Sequence, residues 1–183
     1  EAVVNITGID DGHETLSLNL LSDGSVRDAL TFLSHPRFGF MSKFGLTSDG
    51  ATGTHLTRLK ASLPLLKTLN IDKIKYTATS QIVGLALPRT IRDKPISNGQ
   101  ISLDVTNEGL TAHGKIQFTG TPTRFKWTED FTGRQRIKRN LHIDLKATPR
   151  IRRIFGLDYP RHLVGPLGLK LKYEHHQNEK RTI

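Results

Sequence analysis

The sequence predicts a mainly β protein: a strongly twisted antiparallel sheet with two short helices. Three observations carry this expectation. Apolar and polar residues alternate with a period of two along most of the chain. Gly, Pro and Asn- or Asp-containing turns separate these runs at hairpin spacing. Only two short stretches carry a helical signature.

The clearest stretch is Leu110–Phe131. Leu110, Ala112, Gly114, Ile116 and Phe118 fall on one face of a strand. After a break at Gly120-Thr121-Pro122, the residues Thr123, Phe125, Trp127, Glu129 and Phe131 continue the same face. That is a hairpin with one apolar and one wet side. Glu129 interrupts the apolar series, which points to a pairing with Arg124, Arg134 or Arg136.

From the start of the chain, Glu1–Gly8 reads as strand-like, and His13–Leu21 alternates Leu16, Leu18 and Leu20 with polar residues. Ser25 with Asp28 three positions on is a capping pattern. Val26, Ala29, Leu30 and Leu33 then follow at helical spacing until Pro36, predicting a short helix that seals one end or face of the sheet. The segment Pro36–Gly50 carries Phe38, Phe40, Met41, Phe44 and Leu46, either as a satellite core or as a loop that dips into lipid.

Strands are expected over Ala51–Leu65, ending at Pro64, and over Ile74–Ala86, with an irregular connection at Pro88–Gly99. Gln100–Thr106 turns Ile101, Leu103 and Val105 inward, and Asn107-Glu108-Gly109 offers a glycine for a positive φ. Beyond the hairpin, Arg134–Ala147 sets Ile137, Leu141, Ile143 and Leu145 against Arg136, Lys138, Asn140, His142, Asp144 and Lys146. Thr148-Pro149 starts a second short helix closed by Gly156. Leu167, Leu169, Leu171 and Tyr173 mark a last strand, followed by a polar, frayed Glu174–Ile183.

The chain of 183 residues is long enough for one domain with a core. It reads as a single β-rich segment, 1–183, of a longer polypeptide, with a sub-boundary near 88–99. Its net charge of +10, from 27 Lys and Arg against 17 Asp and Glu, suits nucleic acid, phospholipid headgroups or an acidic polysaccharide. It equally suits a basic domain with no anionic ligand. Absent cysteines rule out disulfides, thiolate metal sites and a Cys nucleophile.

Residues for chemistry are scattered. His13, His35, His55, His113, His142 and His162 show no ligand spacing, and His175-His176 would point to opposite strand faces. No nucleophile elbow occurs, and adjacent Glu129 and Asp130 point apart. The reading is therefore non-enzymatic, with no metal or other cofactor. A nucleic-acid-binding β module is a rival on charge, but Phe125, Trp127 and Phe131 share the aliphatic face rather than standing among the cations.

The run Gly109–Phe131 resembles the repeated hairpin of the AsmA-like envelope proteins (the AsmA/TamB/YhdP-like β-groove proteins), with the YhdP-type central region as the nearest branch. Ser25–Leu66 and Phe155–Tyr173 resemble that branch too: a short helix, then Gly-Ala-Thr-Gly leading into a strand that ends Leu-Pro-Leu, and later Gly-Pro-Leu-Gly before a strand. On this likeness, 160–183 reads as the start of a further repeat.

The resemblance implies a β-groove that binds or conducts phospholipid, or another anionic lipid, between the inner and outer membranes. It implies a periplasmic segment of a Gram-negative protein held in the inner membrane by an anchor outside this segment, with adjacent repeats of the same polypeptide as partners. The groove lining would be Leu103, Val105, Ile116, Phe118, Phe125, Trp127, Leu141, Ile143 and Leu145, each with ordinary core as its alternative role. Basic residues crowd Arg134–Arg153. Arg134, Arg136, Lys138 and Arg139 are the candidates for an anionic-headgroup rim, or else part of a solvated outer face. A structural or protein-interaction scaffold in the envelope is the alternative function.

Overall fold

The computed structural model describes residues 1–8, 14–35, 47–65, 74–157 and 162–176. Among these, nine strands form one antiparallel sheet in strict chain order: β1 (Ala2–Thr7), β2 (Thr15–Ser25), β3 (Thr52–Pro64), β4 (Lys75–Leu87), β5 (Ile96–Thr106), β6 (Gly109–Phe118), β7 (Thr121–Asp130), β8 (Ile137–Ala147) and β9 (Leu167–His176). β1 and β9 are the edges, so the sheet does not close into a barrel. Among the described residues two α-helices accompany it, α1 (Val26–Leu33) and α2 (Pro149–Ile154). The mainly β architecture with two short helices is as the residue pattern predicts.

Alternation sets the register. Exposed and half-buried residues alternate along β3, and exposed and buried ones along the second half of β8. Cross-strand partners keep the apolar side in line: Leu20 faces Leu59, Ala78 faces Val105, Val105 faces Leu110, and Phe125 faces Ile143. A one-residue slip would turn each of these side chains to the opposite side. Bulges between Val83 and Leu87 and between Ser97 and Gln100 interrupt the ladder and add local twist.

Both helices begin as the sequence predicts. The Ser25 hydroxyl accepts from the Asp28 amide, and the Thr148 hydroxyl accepts from the Ile151 amide with Pro149 in the first turn. The helices sit at the same end of the sheet. Val26 of α1 is buried with Ala51, Leu85 and Leu87. Ile151 of α2 is buried with Phe118, Ile143, Leu145 and Ala147, and Phe155 meets the Phe118 ring at 5.9 Å between centroids.

Several local expectations are corrected. The β6–β7 turn is Thr119-Gly120, with φ of 48° and 82°, while Thr121 and Pro122 already belong to β7. A two-residue turn with both φ positive matches the twist of a hairpin. Pro122 is tolerated because β7 pairs with β8 only from Thr123 onward.

Gly109 does not use a positive φ; it opens β6, where a Cβ would run into the Glu129 carbonyl oxygen. The connection after β4 is shorter than Pro88–Gly99, because β5 starts at Ile96 and continues through a bulge where Asn98 has a φ of 51°. β4 and β5 pair along their length, so the sheet runs on past this connection. Glu174, His175 and His176 are not frayed: they pair with Asn140, Arg139 and Ile137. Phe38, Phe40, Met41, Phe44 and Leu46 lie outside the described residues, as do His13 and 177–183.

Candidate functional site, an apolar face closed at one end

The inner face of the sheet changes character along the strands. At the helix end it is filled. Phe118 is 2% exposed, Leu145 4%, and Ile116 and Ile143 8% each. These four residues, expected to line a groove, are ordinary core: α2 covers Phe118, Ile143 and Leu145 directly. The other five expected lining residues, Leu103, Val105, Phe125, Trp127 and Leu141, are half-buried.

Away from the helices the inner face stays apolar. One row of facing residues runs Ala2, Leu20, Leu59, Ala78, Val105 and Leu110 across the first six strands. The next row brings Val4, Leu18, Ala61 and Tyr76 into line. Burial pushes the Tyr76 hydroxyl pKa upward. Val4 and Ile6 at the β1 edge and Tyr173 at the β9 edge are exposed. Among the described residues, none of these row residues belongs to the two buried clusters that α1 and α2 complete.

Two polar features interrupt the apolar surface. His55 Nδ1 lies 2.9 Å from Thr57 Oγ1, which lies 2.8 Å from Ser80 Oγ, giving β3 and β4 a hydroxyl stripe. On β7 and β8, Arg139 grips Glu129 with two bonds, Nε to Oε2 at 2.6 Å and Nη2 to Oε1 at 3.0 Å. The Trp127 indole donates to the same carboxylate at 3.2 Å, and the guanidinium stands 5.7 Å from the Trp127 ring centroid. Hydrogen bonding to Glu129 raises the Arg139 pKa above its ordinary value.

This grouping corrects the pairing expected for Glu129, which takes Arg139 rather than Arg124, Arg134 or Arg136. It also divides the expected headgroup rim. Arg139 faces inward and is engaged by Glu129. Lys138 is on the opposite face, and Arg134 and Arg136 are exposed in the loop before β8. The four do not converge on one locus.

The rest of the basic run is also dispersed. Lys146 lies outward on β8, while Arg152 on α2 is 2% exposed and donates to the carbonyls of Gly165 and Leu163 at 2.5 and 2.7 Å. That arginine anchors the approach to β9. The outer face gathers Lys115, Arg124, Lys126, Lys170 and Lys172, while Phe125 and Trp127 lie on the inner one. Among the inner-face rings, Trp127 has Arg139 beside it, while the five outward cations stand across the sheet from both rings. Among the described residues, no three His, Asp or Glu side chains gather as metal ligands, and no helix is long and apolar enough to cross a membrane.

Comparison with known protein families, curated proteins and solved structures finds no match to this chain. The site therefore rests on its own geometry: a broad apolar face, filled at the helix end and, among the described residues, half-buried to exposed elsewhere, with the Glu129–Arg139 ion pair beside Trp127.

Proposed function

We propose that this chain is a non-enzymatic segment that holds hydrocarbon chains of a lipid against the inner face of its sheet. One observation supports it above others: the row from Ala2 to Leu110 keeps an apolar side chain on six successive strands, and none of these residues belongs to the buried clusters that α1 and α2 complete. Each methylene moved from water onto such a surface is favoured by about 0.8 kcal/mol. The AsmA-like resemblance extends the proposal to phospholipid passing between the inner and outer membranes of a Gram-negative envelope. There the chain would be a periplasmic part of an inner-membrane-anchored protein.

The experiment is native mass spectrometry of the chain extracted from cells. Wild-type protein carries phospholipid. Leu103→Asp, on the half-buried part of the face, stays folded and loses it. Ile143→Asp, in the filled end, unfolds. Lipid retained by a folded Leu103→Asp variant would overturn the proposal. A second reading, an envelope scaffold that carries nothing, draws support from the filled end, where α1 and α2 occupy the inner face. Wild-type protein free of lipid would favour it.

A further inference from the structure

At the closed end, beside the core rather than within it, lies an open cavity of about 430 Å³. Its walls are Lys94, Pro95 and Ser97 at the start of β5, Thr119 and Gly120 of the β6–β7 turn, and Arg150, Arg153 and Ile154 of α2. Among the described residues, three cationic side chains line it and no carboxylate does. Lys94 and Arg150 form no ion pair among the described residues. The volume falls in the range of small-molecule sites.

The wall is also held in an unfavourable conformation. Thr119 has a φ of 48°, a region that disfavours a β-branched residue. Its Oγ1 is buried with no hydrogen-bond partner among the described residues. Asn-Gly would make the same turn with less strain. Strain of this kind gathers at binding sites.

We infer that this cavity binds a phosphate ester, with Lys94 and Arg150 as the principal charge partners, Arg153 beside them and the Ser97 hydroxyl as a further donor. Guanidinium groups match phosphate through paired hydrogen bonds, and lysine adds a compact charge. The inference does not depend on the hydrocarbon reading, because it uses different residues at the other end of the sheet. The phosphate belongs either to a soluble ester or to a lipid headgroup.

The test is a titration of the whole chain with glycerol 3-phosphate, followed by amide chemical shifts. The expected result is a saturable shift centred on Lys94, Ser97, Gly120 and Arg150. Lys94→Gln with Arg150→Gln should weaken binding at least tenfold with the melting curve unchanged. Lys126→Gln with Lys170→Gln, which removes the same charge from the outer face, should change it less than twofold. Shifts spread over the whole basic surface, or equal losses in the two double variants, would overturn the site. Sedimentation with phosphatidylglycerol vesicles separates the sources. Vesicle binding lost with the Lys94 and Arg150 variant assigns the site to a headgroup, and vesicle binding unaffected by it assigns the site to a soluble ester.

Discussion

The two ends of the sheet are held together by different forces. At the helix end, Phe118, Leu145, Ala147 and Ile151 make a core that excludes water, and α1 builds a second one around Val26 and Leu85. At the opposite end the fastenings are polar and directional. Asn107 donates to the Ile74 carbonyl at 2.6 Å and accepts from the Tyr76 amide at 2.7 Å. Asp130 accepts from the Thr132 hydroxyl and amide and from the Gln135 amide. Glu129 and Arg139 add their bidentate pair. The lesson is physical: among the described residues, strand ends outside the two cores are fixed by directional hydrogen bonds, which hold register without filling the apolar face.

The largest expected difference tests the cores directly. Phe118→Ala should cost about 4 kcal/mol in urea unfolding, whereas Leu103→Ala, half-buried, should cost about 1 kcal/mol. Similar losses for both would erase the distinction between filled and open ends. Next comes the ion pair. Glu129→Gln should cost about 2 kcal/mol, because Arg139 keeps its charge in a partly desolvated place. Replacing both partners, Glu129→Leu with Arg139→Leu, should restore most of that stability. A double variant as weak as the single one would show the pair to be more than an electrostatic fastening.

The smallest effect is on pH. The Thr132 hydroxyl, then the backbone amides, hold the Asp130 carboxyl below its ordinary pKa despite its burial. A carboxylate with a lowered folded pKa stabilises the chain above the unfolded value, about 3.9, and loses that contribution as pH falls through the folded one. Asp130→Asn should therefore cost about 1 kcal/mol at neutral pH, with the gap to wild type closing below about pH 4. A constant gap from pH 7 to 3 would mean that the Asp130 charge does not fasten the loop.

The strands, their faces and both helix starts were legible in the sequence because period-two alternation and capping residues act locally. Depth was not legible. Ile143 and Leu141 look alike two positions apart on one strand, yet only Ile143 is buried in the core beside α2. Arg139 occupies an inward position in an apolar series, but its neighbours in the basic run drew it into an outward rim. Its true partner was fixed by register, since Glu129 faces it directly across β7 and β8. The cavity was hidden for a similar reason. Lys94, Thr119 and Arg150 are far apart in the chain and meet only because a turn, a strand start and a helix share one end.

The meander has a consequence for how the molecule is made. Every strand bonds only to the ribbons made just before and just after it, so no strand pairing waits for a distant part of the polypeptide. Short-range pairing favours quick assembly compared with β architectures that must join remote segments. Each new hairpin can zip onto the growing edge as it leaves the ribosome, in the order of synthesis.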